Sequence, residues 1–124
     1  MQTPQLKPVV WVGPARDELR NLPSEVQDAM GYALYLAQAG GKHPHAKPLR
    51  GFGGAGVLEI IEDQAGGTYR GIYTVRFADA IYVLHAFQKK SKQGVATPKQ
   101  TIELIRKRLN DAEALHAQRS TRKE

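Results

Sequence analysis

Three strand-like runs, Val57 to Ile61, Thr68 to Phe77 and Ile81 to Phe87, follow one another with only turn signals between them. Each is rich in β-branched and aromatic residues, the side chains that suit a pleated, half-buried surface. Gly66-Gly67 and Asp79-Ala80 mark the turns. Connections this short leave no room for a crossover, so the runs predict an antiparallel meander. Few folds accommodate such a unit in a chain of 124 residues unless helices cover it.

The flanking segments supply those helices. Pro8 to Val12 reads as a first short strand, and Pro14 opens a helix in which Leu19 and Leu22 lie three apart. Pro23 and Ser24 start a second helix, with Val26, Met30, Ala33 and Ala37 at helical spacing and Leu34 beside them. Gly40 and Gly41 end it, as a left-handed C-cap requires. Lys42 to Gly56 reads as a loop rich in Gly, Pro and basic groups. The last helix is expected from Thr97 to about His116, with Thr97 as N-cap, Pro98 as first helical residue and Gln100 third. Its apolar face is Ile102, Ile105, Leu109 and Ala112. The expected architecture is a single α+β domain over residues 1–124: a small antiparallel sheet, an N-terminal helical hairpin and a C-terminal helix. Residues 1–7 and 119–124 are expected to be loose ends.

The charge is unevenly placed. Eighteen Lys and Arg stand against 12 Asp and Glu, a net +6. Between His85 and Leu109, seven bases (Lys89, Lys90, Lys92, Lys99, Arg106, Lys107, Arg108) face one acid, Glu103, so that segment alone carries 7 − 1 = +6. Lys89, Lys90 and Lys92 sit where a strand gives way to a capped helix, a placement that suits a polyanion better than a small neutral substrate. The alternative is a solubilising surface cluster. The chain has no cysteine, which excludes a disulfide framework and agrees with a reducing compartment. Neither a cleavable leader nor a run of roughly 18 apolar residues is present, so no membrane role is expected and the location is read as cytoplasmic.

Alternation along the second meander strand puts Arg70, Ile72, Thr74 and Arg76 on one face and Tyr69, Tyr73, Val75 and Phe77 on the other. Arg70 is either a functional guanidinium or the partner of Glu59 or Glu62 on the neighbouring strand. Along the third strand Ile81, Val83, His85 and Phe87 alternate with Tyr82, Leu84 and Ala86. His85 is either a hydrogen-bonded structural residue or a proton carrier. His43 and His45 flank Pro44, but no third ligand lies at a recognised spacing, so no metal and no cofactor is expected. The glycines of GFGGAG lack the strand and helix that a nucleotide-binding fingerprint needs.

Taken in order, LPSEV, KPLRGFG, TYRGIY and LHAFQKKSKQGVATP resemble the phage-derived HigB-like branch of the RelE/ParE toxin superfamily. The resemblance spans nearly the whole chain. It implies a small RelE-like sheet with packed helices and the role of toxin in a type II toxin–antitoxin system. The implied activity is metal-independent, ribosome-dependent mRNA cleavage that uses the RNA 2′-hydroxyl as nucleophile. The implied partners are the ribosome, mRNA and a cognate antitoxin, expected to be of helix-turn-helix type. The related ParE branch inhibits DNA gyrase instead, and a non-catalytic nucleic-acid-binding role is a third reading. By position, Arg70 corresponds to the superfamily's arginine at the scissile phosphate, and Lys89 and Lys90 to its basic residues beyond the last strand. Arg70 and Lys90 are the candidates for neutralising charge on the transition state, and His85, Lys89 and Tyr73 for proton transfer. Lys92, Arg76, Lys99, Arg50 and Lys47 are the expected RNA or ribosome contacts. Where relatives carry lysines on the first meander strand, this chain has VLEIIED, so the resemblance assigns no general base.

Overall fold

The computed structural model describes residues 5–54, 56–64, 66–89 and 97–122. Its elements run β1 (Val9–Trp11), α1 (Ala15–Arg20), α2 (Ser24–Gln38), β2 (Ala46–Pro48), β3 (Val57–Gln64), β4 (Gly67–Thr74), β5 (Ile81–Lys89) and α3 (Lys99–Arg122). Among the described residues the strands form one sheet in the order β1-β5-β4-β3-β2. The meander β3-β4-β5 is antiparallel throughout, and Gln64 pairs with Gly67 across a tight turn that holds Gly66 at φ 77°. The sheet is mixed rather than purely antiparallel, because β1 runs parallel to β5. Apolar alternation carries no direction, which is why the sequence does not reveal this. Strand β2 lies inside the segment expected to be a loop. It is only three residues long and ends in Pro48, so it lacks a periodic signal, yet it pairs with Leu58 to Ile60.

Helices cover both faces. Ala15 and Leu19 of α1 and Val26, Met30, Ala33, Leu34 and Ala37 of α2 pack against Ile60, Tyr69, Tyr73, Val83 and Ala86. On the other face Ile105, Leu109 and Ala112 of α3 bury Ile72, Tyr82 and Leu84, with Leu49 and Phe52 at the margin. Gly71 lets α2 approach closely: a Cβ there would lie 2.9 Å from Met30 Sδ and 3.0 Å from Ile60 Cγ2. Helix α2 ends as its glycines predict. Gly41 N–H donates to Leu36 O (2.8 Å) and Gly40 N–H to Ala37 O (3.0 Å), with Gly40 at φ 89°.

Three details of the expected pattern change. Strand β4 stops at Thr74, whose hydroxyl donates to Gly56 O (3.0 Å) and accepts from Arg76 N–H (3.1 Å), so the chain turns before Arg76. Phe77 consequently joins Tyr82 and His116 on the α3 side instead of following Tyr69 and Tyr73. In β5, Ile72 pairs with His85 but Tyr73 pairs with Val83, which leaves Leu84 as the extra residue of a bulge. The bulge resets the alternation beyond it: Tyr82 and Leu84 share the α3 side as expected, but Ala86 crosses to the α1–α2 side with Val83, and Phe87 crosses to the α3 side. At α3 the N-cap position belongs to Pro98, whose carbonyl accepts from Ile102 N–H at 3.1 Å, not to Thr97. That helix continues to Arg122, beyond the expected end near His116.

Candidate functional site

The α3 face of the sheet carries a carboxylate surrounded by cations from three other strands. Register places Glu59 of β3 between Lys47 of β2 and Ile72 of β4. Arg70, two residues before Ile72, donates from its terminal NH1 to Glu59 Oε2 at 2.8 Å and to Thr97 Oγ1 at 3.2 Å. Lys47 Nζ lies 3.8 Å from Glu59 Oε1. The Arg70 and Glu59 side chains are only 12% and 6% exposed, so this is a largely desolvated pair. Arg70 Nε is buried and has no partner among the described residues, leaving one donor of the fork uncommitted. Lys89, at the end of β5, feels the same centre. Partial desolvation and the repulsion of Arg70 and Lys47 lower its pKa, against the pull of Glu59. Of the two structural partners that the sequence allows Arg70, Glu59 is the one it has.

A second charged group lies along β5. Strand β1 ends at Trp11, leaving the edge of β5 beyond Val83 without a strand partner among the described residues, and the chain returns there as α1. Glu18 of α1 accepts the Ala86 N–H at 3.4 Å, while Arg108 of α3 donates to Leu84 O at 2.9 Å. The two side chains form a bidentate pair, NH1 to Oε1 at 2.7 Å and NH2 to Oε2 at 2.9 Å. His85 Nδ1 is 2.8 Å from Glu18 Oε1. A carboxylate only accepts, so Nδ1 carries the proton and Nε2 keeps the lone pair. The 3.1 Å approach of Arg108 to the same nitrogen is then a neighbour contact of two donors sharing one oxygen. Burial lowers the His85 pKa and outweighs the attraction of Glu18; Arg108 lowers it further. Burial alone would raise the Glu18 pKa, but hydrogen bonds and charges from Arg108 and His85 hold it below its ordinary value. Phe87 links the two centres: it pairs in register with Arg70 and stacks on His85, centroids 4.7 Å apart.

The other expected residues divide. Tyr73 is removed from the site. It is fully buried on the α1–α2 face, opposite Arg70, and desolvation raises its hydroxyl pKa. Arg76 lies beyond the end of β4 and pairs with Glu113 of α3 at 2.7 Å. Lys99 is exposed on the first turn of α3, two residues from Thr97, and Arg50 is exposed in the loop after β2. Lys90 and Lys92 lie outside the described residues. Arg106 anchors that same loop, with a hydrogen bond to Gly51 O (2.7 Å) and its guanidinium 4.6 Å from the Phe52 ring centroid. Sequence reasoning missed Glu18, Arg108 and the central place of Glu59. The only advance signal was a Glu within an otherwise apolar strand run.

Residues 17–110 match the family model described as phage-derived protein Gp49-like. The chain belongs to that family. Within this Gp49-like protein the matched span takes in Glu18, Glu59, Arg70, His85, Lys89 and Arg108, so both charged centres lie inside the family's own domain. Among solved structures, a chain in the crystal structure of the toxin–antitoxin complex RelBE2 from Mycobacterium tuberculosis is similar at 20% identity and a TM-score of 0.48. The match covers 68% of the Gp49-like chain and 99% of that one. No curated protein matches significantly. Among the described residues no helix is long and apolar enough to cross a membrane.

Proposed function

We propose that this Gp49-like protein is the toxin of a type II toxin–antitoxin system and cleaves mRNA on the ribosome. The observation that carries the reading is the Glu59–Arg70 pair, flanked by Lys47 and Lys89 at the start of α3. RNA supplies its own nucleophile. The 2′-oxygen attacks the adjacent phosphorus as Glu59 takes its proton. The bond from phosphorus to the 5′-oxygen breaks, and Lys89, whose proton is loosened by desolvation and by its cationic neighbours, protonates the leaving oxygen. The products are a 2′,3′-cyclic phosphate and a 5′-hydroxyl. Arg70, held in place by Glu59 and Thr97, stabilises the charge gathering on the phosphoryl oxygens. Lys99, Arg50 and Lys47 extend the positive surface for RNA or ribosomal contact, and Arg76 does so only by releasing Glu113. So small a catalytic apparatus relies on the ribosome to hold the message bent for in-line attack.

The family's phage-derived character agrees with the HigB-like resemblance read from the sequence, and a domain of this charge suits a cytoplasmic nucleic-acid target. An antitoxin of helix-turn-helix type is the expected partner, presenting an acidic surface to the Lys47–Arg70–Lys89 region. Primer extension on cellular mRNA after brief expression tests the reading. Discrete breaks within open reading frames that vanish in the Glu59→Gln variant support it. A DNA-damage response without breaks turns the assignment to gyrase inhibition, and neither outcome leaves a binding protein without nuclease activity.

A further inference from the structure

The end of the sheet on the α1–α2 side brings together three side chains that the sequence keeps apart. His43 and His45 sit in the loop between α2 and β2, and Glu62 lies near the end of β3, opposite that loop in the β2–β3 pairing. One ligand atom from each lies within 4.8 Å of the others. Glu62 shares parity with Leu58 and Ile60, which pack towards α1 and α2, so the cluster is on the face opposite Arg70. Tyr32 of α2 meets His43 edge-on at 5.7 Å, and the rings of His43 and His45 stand 5.0 Å apart at 70°.

We propose that His43, His45 and Glu62 form a binding site for a divalent cation of the zinc class, independent of the nuclease reading. His45 Nδ1 and Glu62 Oε1 are 3.4 Å apart. That is long for a charge-assisted hydrogen bond, and another histidine–glutamate pair of this chain, His85–Glu18, closes to 2.8 Å. It is also close to the separation of two ligands on one tetrahedral ion, about 3.3 Å for metal–ligand bonds of about 2.05 Å. Glu62 is oriented for this, since Gln64 Nε2 reaches its other oxygen, Oε2, at 3.5 Å. The proline between the histidines fixes one backbone dihedral and limits the rearrangement the loop must make. His43 Nδ1 currently accepts the His45 N–H at 2.9 Å. Coordination through His43 Nε2 keeps that bond, and coordination through Nδ1 exchanges it for one from water to the exposed N–H. Two imidazoles and a carboxylate, with a fourth position open to water, make a borderline nitrogen–oxygen donor set that favours zinc over calcium or magnesium. The bound ion ties the α2–β2 loop to β3 and fixes the short edge strand β2, which carries Lys47 to Glu59 on the opposite face. Spacing in the sequence could not show the site, because its third ligand arrives through strand pairing.

Isothermal titration of zinc chloride into the full-length, tag-free, chelator-treated protein is the test. The expected result is saturable uptake of one ion per chain, weakened at least tenfold in His45→Ala and in Glu62→Gln and unchanged in His116→Ala. All four proteins are checked for native circular dichroism, because the Glu62 side chain, unlike that of His45, is only 11% exposed. Absence of saturable uptake by the unaltered chain overturns the proposal, as does uptake that persists undiminished in both ligand variants.

Discussion

Glu18→Gln isolates the charged junction where α1, β5 and α3 meet. The substitution keeps the shape of the side chain, removes its charge and turns one of the two accepting oxygens into an NH2 donor, so buried Arg108 keeps at most one of its two hydrogen bonds to this side chain. The Arg108 side chain is 10% exposed and that of Glu18 22%. Uncompensated burial of one member of such a pair costs about 3–5 kcal/mol, and the partial exposure of Glu18 favours the lower end, about 3 kcal/mol. For a domain of this size that lowers Tm by about 10 °C. The pH dependence gives a second readout. The folded pKa of His85 is depressed from 6.5, so below that value the unfolded chain binds a proton the folded chain refuses, and stability falls as pH drops. The Glu18 carboxylate is depressed from 4.5, so its contribution is full above that value and is lost as pH falls through the folded pKa. Each group adds a slope of at most about 1.4 kcal/mol per pH unit within its window. Urea titrations of both proteins between pH 3 and pH 8 check this. Glu18→Gln should lose the acid-limb slope below pH 4.5. A variant within about 0.5 kcal/mol of the parent at pH 7, with the acid limb unchanged, would refute the claim that this pair holds α1 and α3 to β5; such a difference is the size expected of ordinary surface substitutions.

Gly71→Ala should destabilise the fold by about 1–3 kcal/mol in chemical denaturation, because its Cβ would press on Met30 and Ile60, and the same change should cost less when made in a Met30→Ala background. Arg70→Ala should cut mRNA cleavage at least ~100-fold in single-turnover assays. It should also lower stability by up to about 3 kcal/mol through stranding Glu59, so activity is to be compared at a temperature where the variant is folded; undiminished cleavage by folded Arg70→Ala removes Arg70 from the chemistry. Lys47→Ala with Lys89→Ala should reduce the salt slope of ribosome or RNA binding by about two units if both meet phosphates, and an unchanged slope makes them plain surface.

Apolar periodicity made the meander, both helices of the hairpin and the buried face of α3 legible, because each element's core contacts recur at its own spacing. What stayed hidden has no period. The parallel docking of β1, the three-residue strand β2 and the bulge at Leu84 depend on pairing between distant segments, and the bulge alone redirects the side chains that follow it. The same limit governs the site. Arg70 stood out as a guanidinium in an apolar strand, and Glu59 was one of its two possible partners. Arg108 looked like one more member of a basic helix, with nothing in the sequence to distinguish it from the exposed Lys107. Its 90-residue separation from Glu18 shows that only the assembled fold could pair them.

If the α3 face receives RNA, as proposed above, the two Arg–Glu pairs on or beside it account for how such a surface folds before the polyanion arrives. A desolvated guanidinium such as Arg70 is costly without an anion, and its ligand is absent during folding. Glu59 supplies that anion, fixing the side chain while its Nε remains uncommitted. When a phosphate approaches, it adds to this arrangement rather than having to organise it, and Lys47 and Lys89 offset the repulsion it would meet from Glu59. Neutralisation in the interior also moves the net positive charge outward to the lysines, where it can steer RNA towards the face without burying unpaired cations. The carboxylate that stabilises the resting site is then the group nearest Arg70 able to accept a proton. Glu59→Gln therefore separates two roles that Arg70→Ala conflates: it leaves a hydrogen-bond acceptor for the guanidinium and removes the proton acceptor from the reaction.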